Sequence, residues 1–295
     1  MKNSIFRRDA LRYGLGGAML GAGAAIGLTC GENISTRGYP ILDAHIHIPS
    51  DAGDIWQWHP VMKTMEDVVA YLDRVGIDRG IINSVHAIKS TKPEDFITGN
   101  REVLRYCDEY RGRFLPGIII NGNFPDESIR ELEECNEDHG AVWIGELCNY
   151  ATNPRYAYDS EGMDRVIRRA IDLNMVLHMH SQTKELEIHV ARYPDAQLVI
   201  PHFGRSVDEI FQRIDLIAGH PKACFEISAS GFERMGIMEY AVKTIGEDRI
   251  IFGSDMTIND AASVIARVDH AFLTNQQKEK ILHLNTERLL AEAMV

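Results

Sequence analysis

Residues 198–228 read LVIPHFGRSVDEIFQRIDLIAGHPKACFEIS. It opens on an apolar run from Leu198 to Phe203 and closes on a second from Cys224 to Ser228. Between them Val207, Ile210, Phe211, Ile214 and Ile217 recur at helical spacing and form one apolar stripe. Nearly unbroken apolar strands are expected where both faces of a parallel sheet are covered, and parallel neighbours need a crossover helix. The stretch is one strand–helix–strand unit.

The same alternation runs outward in both directions. Further β-branched runs begin near Ile41, Ile81, Phe114, Ala141, Met175 and Ile250, which with Leu198 and Cys224 makes eight. Val68, Leu72 and Val75 share one face of an early spacer, and Gln276 to Ala293 reads as a last helix packed outside. Eight such units over residues 40–293 predict a single-domain (β/α)8 barrel. An open doubly wound sheet would carry a glycine fingerprint after a strand. The Gly-rich run at Gly14 does not supply it: no strand precedes it, and Met19 stands where the third glycine belongs.

Composition narrows the function. A chain of 295 residues with 45% apolar and 25% charged side chains is ordinary for a globular domain. Its net charge of −12 argues against a nucleic-acid partner, which is held by basic patches. Residues 1–30 are set apart from the fold as an export signal. Lys2, Arg7, Arg8 and Arg12 precede an uncharged, moderately apolar stretch from Gly14 to Leu28, too short to span a bilayer comfortably. The pair Arg7-Arg8 resembles a twin-arginine signal, which implies the twin-arginine export machinery as partner and a periplasmic or cell-envelope location. Cys30 directly follows and is a candidate for a lipid anchor, although Gly27 and Thr29 match a lipoprotein signal poorly. Cys107, Cys135, Cys148 and Cys224 show no paired spacing, so buried thiols are expected.

In such barrels the chemistry gathers at the C-terminal ends of the strands. The first run ends His45-Ile46-His47, which strand alternation puts on one face with Cα atoms roughly 6.6 Å apart, close enough to share one ion. The fifth run ends His178-Met179-His180, with His180 nearer the mouth and His178 expected to hydrogen-bond within the barrel. The sixth ends on His202 and the eighth on Asp255. His189 and His270 fall in helices and read as solvated. Trp56, Trp58 and His59 sit in the loop after the first strand, where they could shape a pocket. Arg205 could meet a substrate carboxylate or a helix start.

Taken together, LDAHIH at Leu42–His47, PHFG at Pro201–Gly204, GSD at Gly253–Asp255 and NTERLL at Asn285–Leu290 resemble the amidohydrolase superfamily, and especially its amidohydrolase-related subgroup, amidohydrolase 2. The resemblance covers about residues 40–291. It implies a divalent-metal site of His45, His47, His180, His202 and Asp255. Glu146 stands where many two-metal members carry a carbamylated lysine. A glutamate there would either bridge two ions or orient a ligand or substrate around one. Zinc is expected, with manganese, iron or cobalt also suited to these donors. The implied activity is hydrolysis of a small-molecule ester, lactone or amide by metal-activated water, with Asp255 moving the proton and His202 polarising the carbonyl. The alternatives are a decarboxylase or hydratase of the same superfamily, or an exported barrel that binds metal without turnover.

Overall fold

The computed structural model describes residues 38–295. The export-signal reading of residues 1–30 and the lipidation of Cys30 therefore lie outside the described residues. Eight strands follow the predicted order: β1 (Leu42–Ile48), β2 (Arg79–Ser84), β3 (Phe114–Ile118), β4 (Trp143–Leu147), β5 (Val176–Met179), β6 (Gln197–Pro201), β7 (Ala223–Glu226) and β8 (Ile250–Ile251). Each is parallel to the next in sequence. The ring is drawn shut where the Ala44 amide donates to the Phe252 carbonyl at 3.0 Å and Ile46 bridges to Met256. The result is a (β/α)8 barrel.

The crossover helices are α1 (Met65–Val75), α2 (Pro93–Glu109), α3 (Pro125–His139), α4 (Glu161–Asp172), α5 (Thr183–Arg192), α6 (Val207–Ala218) and α7 (Ile237–Ile245), and α8 (Ala261–Asp269) follows the last strand. Local sequence starts and stops them. Thr64 and Asp67 form a reciprocal cap on α1, and Ser206 accepts from the Glu209 amide at the start of α6. The last predicted helix is a helical segment (Asn275–Glu279), a π-helical turn (Lys280–Leu284) and α9 (Asn285–Ala293).

Two expectations need correction. On α6, Ile210, Ile214 and Ile217 are buried, but Val207 and Phe211 are exposed. The buried face is narrower than the apolar stripe, and Phe211 instead meets Tyr240 edge-on at 4.8 Å. His189, expected to be solvated, is fully buried on α5, 4.9 Å from the ring of Tyr158 and beside Tyr193.

That burial has a pH signature. Loss of hydration disfavours the imidazolium and pushes the His189 pKa from 6.5 down to about 4. Between those values the unfolded chain takes up a proton that the folded chain refuses, so stability falls as pH drops through this window. The slope approaches about 1.4 kcal/mol per pH unit, summing to roughly 3 kcal/mol. His189→Leu should thus gain on the native protein by about that amount between pH 7 and pH 4 in denaturant unfolding. Parallel losses in both proteins would exclude the effect.

Candidate metal centre

The centre is built from tautomers that the hydrogen bonds dictate. His45 and His47 point inward from β1, both fully buried. His45 Nδ1 lies 2.7 Å from Glu226 Oε2, and since a carboxylate only accepts, this nitrogen carries the proton. Asn83 Nδ2 donates to the Gly145 carbonyl at 3.2 Å, which turns Asn83 Oδ1 toward His47 Nδ1 at 2.7 Å. His47 therefore also holds its proton on Nδ1. Both Nε2 atoms are left with bare lone pairs, and they face each other at 3.0 Å.

Two carboxylates close the ring. Glu146 Oε2 lies 3.2 and 3.4 Å from the two Nε2 atoms, and Asp255 Oδ1 lies 3.5 and 3.0 Å from them. Asp255 Oδ1 is buried and has no hydrogen-bond partner, while Oδ2 accepts from Asn259 at 2.7 Å. Apart from the Cys148 thiol, which donates to Glu146 Oε2 at 2.9 Å, these four acceptors face one another with no donor between them, and they need positive charge at their centre. Two imidazoles and two carboxylates fit a divalent ion such as zinc, manganese, iron or cobalt. Without one, protons must do the same work: burial opposes the charged form of His45, but Glu146, Asp255 and Glu226 outweigh it and hold its pKa well above the ordinary value. His47 is likewise raised against its burial, by Asp255 and Glu146.

The backbone is committed to this arrangement. His202 and Asp255, each just past a strand end, have φ of 65° and 56° in the left-handed region. Such conformations persist where surrounding structure over-determines them, as at functional sites. Gly145, at φ +110°, lets β4 approach β5 beside Glu146; a Cβ there would sit 2.0 Å from the His178 carbonyl oxygen.

The predicted residues do not all reach one point. His45, His47, Glu146 and Asp255 converge. His180 and His202 gather on the outer side of Glu146: His180 Nδ1 is 2.9 Å from Glu146 Oε1, and His202 Nε2 is 3.5 Å from the same oxygen. His202 Nδ1 donates to the Ser228 carbonyl at 3.2 Å. His178 does lie inside the barrel, but neither ring nitrogen has a hydrogen-bond partner. It packs edge-on against His45 at 4.6 Å, and burial pushes its pKa down to about 4, which keeps it neutral.

Above the centre, Trp56 lies 5.1 Å from His47 and 6.2 Å from Tyr150, whose ring is 4.8 Å from His180. Trp56 thus shapes the mouth as expected. Trp58 does not: it is 93% exposed, and with His59 it lines a separate cavity of about 530 Å³ against Tyr71 and Thr257. Arg205 is exposed and its amide donates to Glu209 at the start of α6. The four cysteines Cys107, Cys135, Cys148 and Cys224 are free and buried.

Several residues that orient the donors were not anticipated. Glu226, Asn83 and Ser228 act on ring nitrogens contributed by other strands, and Asn259 holds the carboxylate of Asp255 four residues before it. Glu226 had a visible signal, a lone acid inside the apolar run CFEIS. Groups that hold a ligand's far nitrogen typically contribute 10–100-fold to metal affinity. Glu226→Gln is therefore expected to weaken divalent-ion binding by about 10–100-fold in a competitive chelator titration, with little change in melting. Gly253→Ala should act the same way, because a Cβ there would meet Glu226 Oε1 at 2.6 Å. Unchanged affinity in both variants would remove Glu226 from the site.

Comparison with known proteins places this geometry. A search of curated proteins finds no match. Among solved structures the chain is similar to 2,6-dihydroxybenzoate decarboxylase from Rhizobium, with TM-score 0.67, 17% identity, and coverage of 86% of this chain and 99% of that one. It is also similar to a manganese-bound D314N mutant of 5-carboxyvanillate decarboxylase from Novosphingobium aromaticivorans, with TM-score 0.71, 15% identity, and coverage of 87% and 98%. A probable 2-pyrone-4,6-dicarboxylic acid hydrolase from Acinetobacter baumannii matches with TM-score 0.60, 18% identity, and coverage of 85% and 99%. At these identities the likenesses bear on fold alone. The amidohydrolase family model matches residues 42–291, nearly the whole barrel, and the chain belongs to the amidohydrolase family.

Proposed function

We propose that this chain is a divalent-metal-dependent enzyme that releases carbon dioxide from a small, planar carboxylic acid. The observation that carries the reading is the buried ring of four acceptors, His45 Nε2, His47 Nε2, Glu146 Oε2 and Asp255 Oδ1, with no donor among them. The likeness to two aromatic-acid decarboxylases, one holding manganese, favours carbon–carbon cleavage over the hydrolysis that the motifs alone imply. The aromatic wall of Trp56 and Tyr150 over the centre suits a flat substrate.

When bound, the ion supplies positive charge against substrate oxygens on which negative charge develops. The chain's own residues do the rest. Glu226 and Asn83 keep the Nδ1 protons of His45 and His47 in place, so that both Nε2 atoms stay available. Asp255, steadied by Asn259 on Oδ2, is positioned to carry a proton to the reacting carbon as carbon dioxide departs. His202, anchored on the Ser228 carbonyl, can place a proton on Nε2 toward a substrate oxygen.

Hydrolysis is the second reading, favoured by the likeness to the pyrone dicarboxylic acid hydrolase; there Asp255 would take the proton from water instead. We extend the proposal to export through the Arg7-Arg8 signal. The functional test is a product screen of the metal-loaded protein on aromatic and enolic carboxylic acids and on lactones, esters and amides. Carbon dioxide release without net water consumption supports the decarboxylase. Water-consuming cleavage alone would replace it with the hydrolase, and full metal occupancy without either product would remove catalysis from the account.

A further inference from the structure

Trp56, which stands over the centre, ends a strap that no buried side chain holds down. The strap follows β1, and from Asp51 to Ile55 no residue is buried. Its position is therefore set by polar contacts, and these lead to α2 and to the end of β2. The Asp51 amide donates to Glu102 Oε1 at 3.1 Å. Tyr106 donates to Asp51 Oδ1 at 3.0 Å, and Arg105 donates to Oδ2 at 2.5 Å. His86 Nδ1 lies 2.7 Å from Asp54 Oδ2, and Lys89 Nζ donates to the Ile55 carbonyl at 3.1 Å. Trp56 follows directly, its ring 5.1 Å from that of His47.

Glu102 is the buried member of this set. It sits within α2 at 7% exposure, where a carboxylate is costly to place unless its oxygens are used. Both are used. Oε1 takes the Asp51 amide at the root of the strap, and Oε2 takes the Ser84 hydroxyl at 3.1 Å. Ser84 ends β2 and caps the helical turn Val85–Ile88, which presents His86 to Asp54. One carboxylate thus joins both surfaces that grip the strap. Neither of its partners belongs to the ring of four acceptors.

We propose that Glu102 is a positioning residue for substrate: by seating the strap against β2 and α2, it fixes Trp56 as the wall on which a flat substrate lies. The proposal rests on the reading of the substrate as a small planar acid, and its effect falls on binding rather than on chemistry. A wall that contacts substrate equally before and during reaction, once loosened, raises KM and leaves kcat in place. Glutamine keeps the arrangement, with its carbonyl toward the Asp51 amide and its NH2 toward the Ser84 hydroxyl. Leucine keeps most of the bulk and removes both acceptors.

The test follows Trp56 itself. The chain has three tryptophans; Trp143 is 1% exposed and out of reach of a quencher, and Trp58→Phe removes the most exposed one. In that background acrylamide quenching of fluorescence reports on Trp56. Glu102→Leu should raise the quenching constant about twofold, and Glu102→Gln should leave it native. On the metal-loaded protein, Glu102→Leu should raise KM about tenfold for an acid that the product screen shows to react, and Glu102→Gln should restore it. Metal affinity and kcat should stay within threefold of native in both. Asp54→Ala cuts the His86 contact at a partly exposed site; it should move Trp56 and KM the same way, and it carries the test if leucine unfolds the chain. Native quenching in these variants overturns the proposal, and so does a freed Trp56 with native KM. A loss of metal or of kcat as large as the change in KM would make Glu102 a general support of the barrel, which also overturns it. A native protein that turns over no acid withdraws the decarboxylase reading instead, and quenching alone then decides whether Glu102 places Trp56.

Discussion

Alanine at both His45 and His47 should abolish metal retention and turnover while leaving the barrel folded. The two side chains supply half of the four-acceptor ring, and the carboxylates left behind, Glu146 and Asp255, would face each other without the imidazoles that separate them. An ion that stabilises developing charge contributes several kcal/mol, so its loss is worth roughly three to four orders of magnitude in rate. The fold should survive, because the barrel is carried by apolar residues such as Leu42, Ile46, Ile81 and Ile144 that the change does not touch. Elemental analysis, far-ultraviolet circular dichroism and turnover together check this. Native metal content and native turnover in the double variant would exclude the proposed mechanism.

Asp255→Asn separates holding the ion from moving the proton. Asparagine keeps an oxygen near His47 but turns an amide N–H group toward Asn259, whose own amide must flip to accept it, so His45, His47 and Glu146 should still retain the ion, with weakened affinity. It cannot carry the proton, and loss of a positioned general acid–base typically costs about 10²–10⁴ in rate. The expected result is a metal-loaded protein whose kcat falls by that factor. A kcat within threefold of native at full occupancy would assign proton transfer elsewhere, with His202 the next candidate.

How much of this could be read from the chain alone depends on where each residue finds its partners. The barrel was legible because every strand carries its own signal: a short β-branched run, bounded by spacers long enough for a helix, repeated eight times. His45, His47 and Asp255, which the structure brings to one point with Glu146, stand at or just beyond strand ends where polar residues interrupt apolar ones. What the sequence withheld was set by partners on other strands. Which oxygen of Glu146 meets which histidine depends on the close approach at Gly145. The tautomers of His45 and His47 depend on Glu226 and Asn83, respectively 181 and 36 residues away. His189 looked like a surface residue because nothing near it in sequence announces the ring of Tyr158, brought to it by the loop after β4. The buried face of α6 is narrower than its apolar stripe for the same reason: the sheet and neighbouring helices cover only part of the helix.

A single ion should sit among donors from three strand ends, those of β1, β4 and β8. A crystal of the full chain soaked in manganese, with anomalous diffraction recorded, measures this directly. The prediction is one strong peak about 2.0–2.2 Å from His45 Nε2, His47 Nε2, Glu146 Oε2 and Asp255 Oδ1. Ordered donors with no peak between them, or an ion bound elsewhere in the barrel, would contradict it.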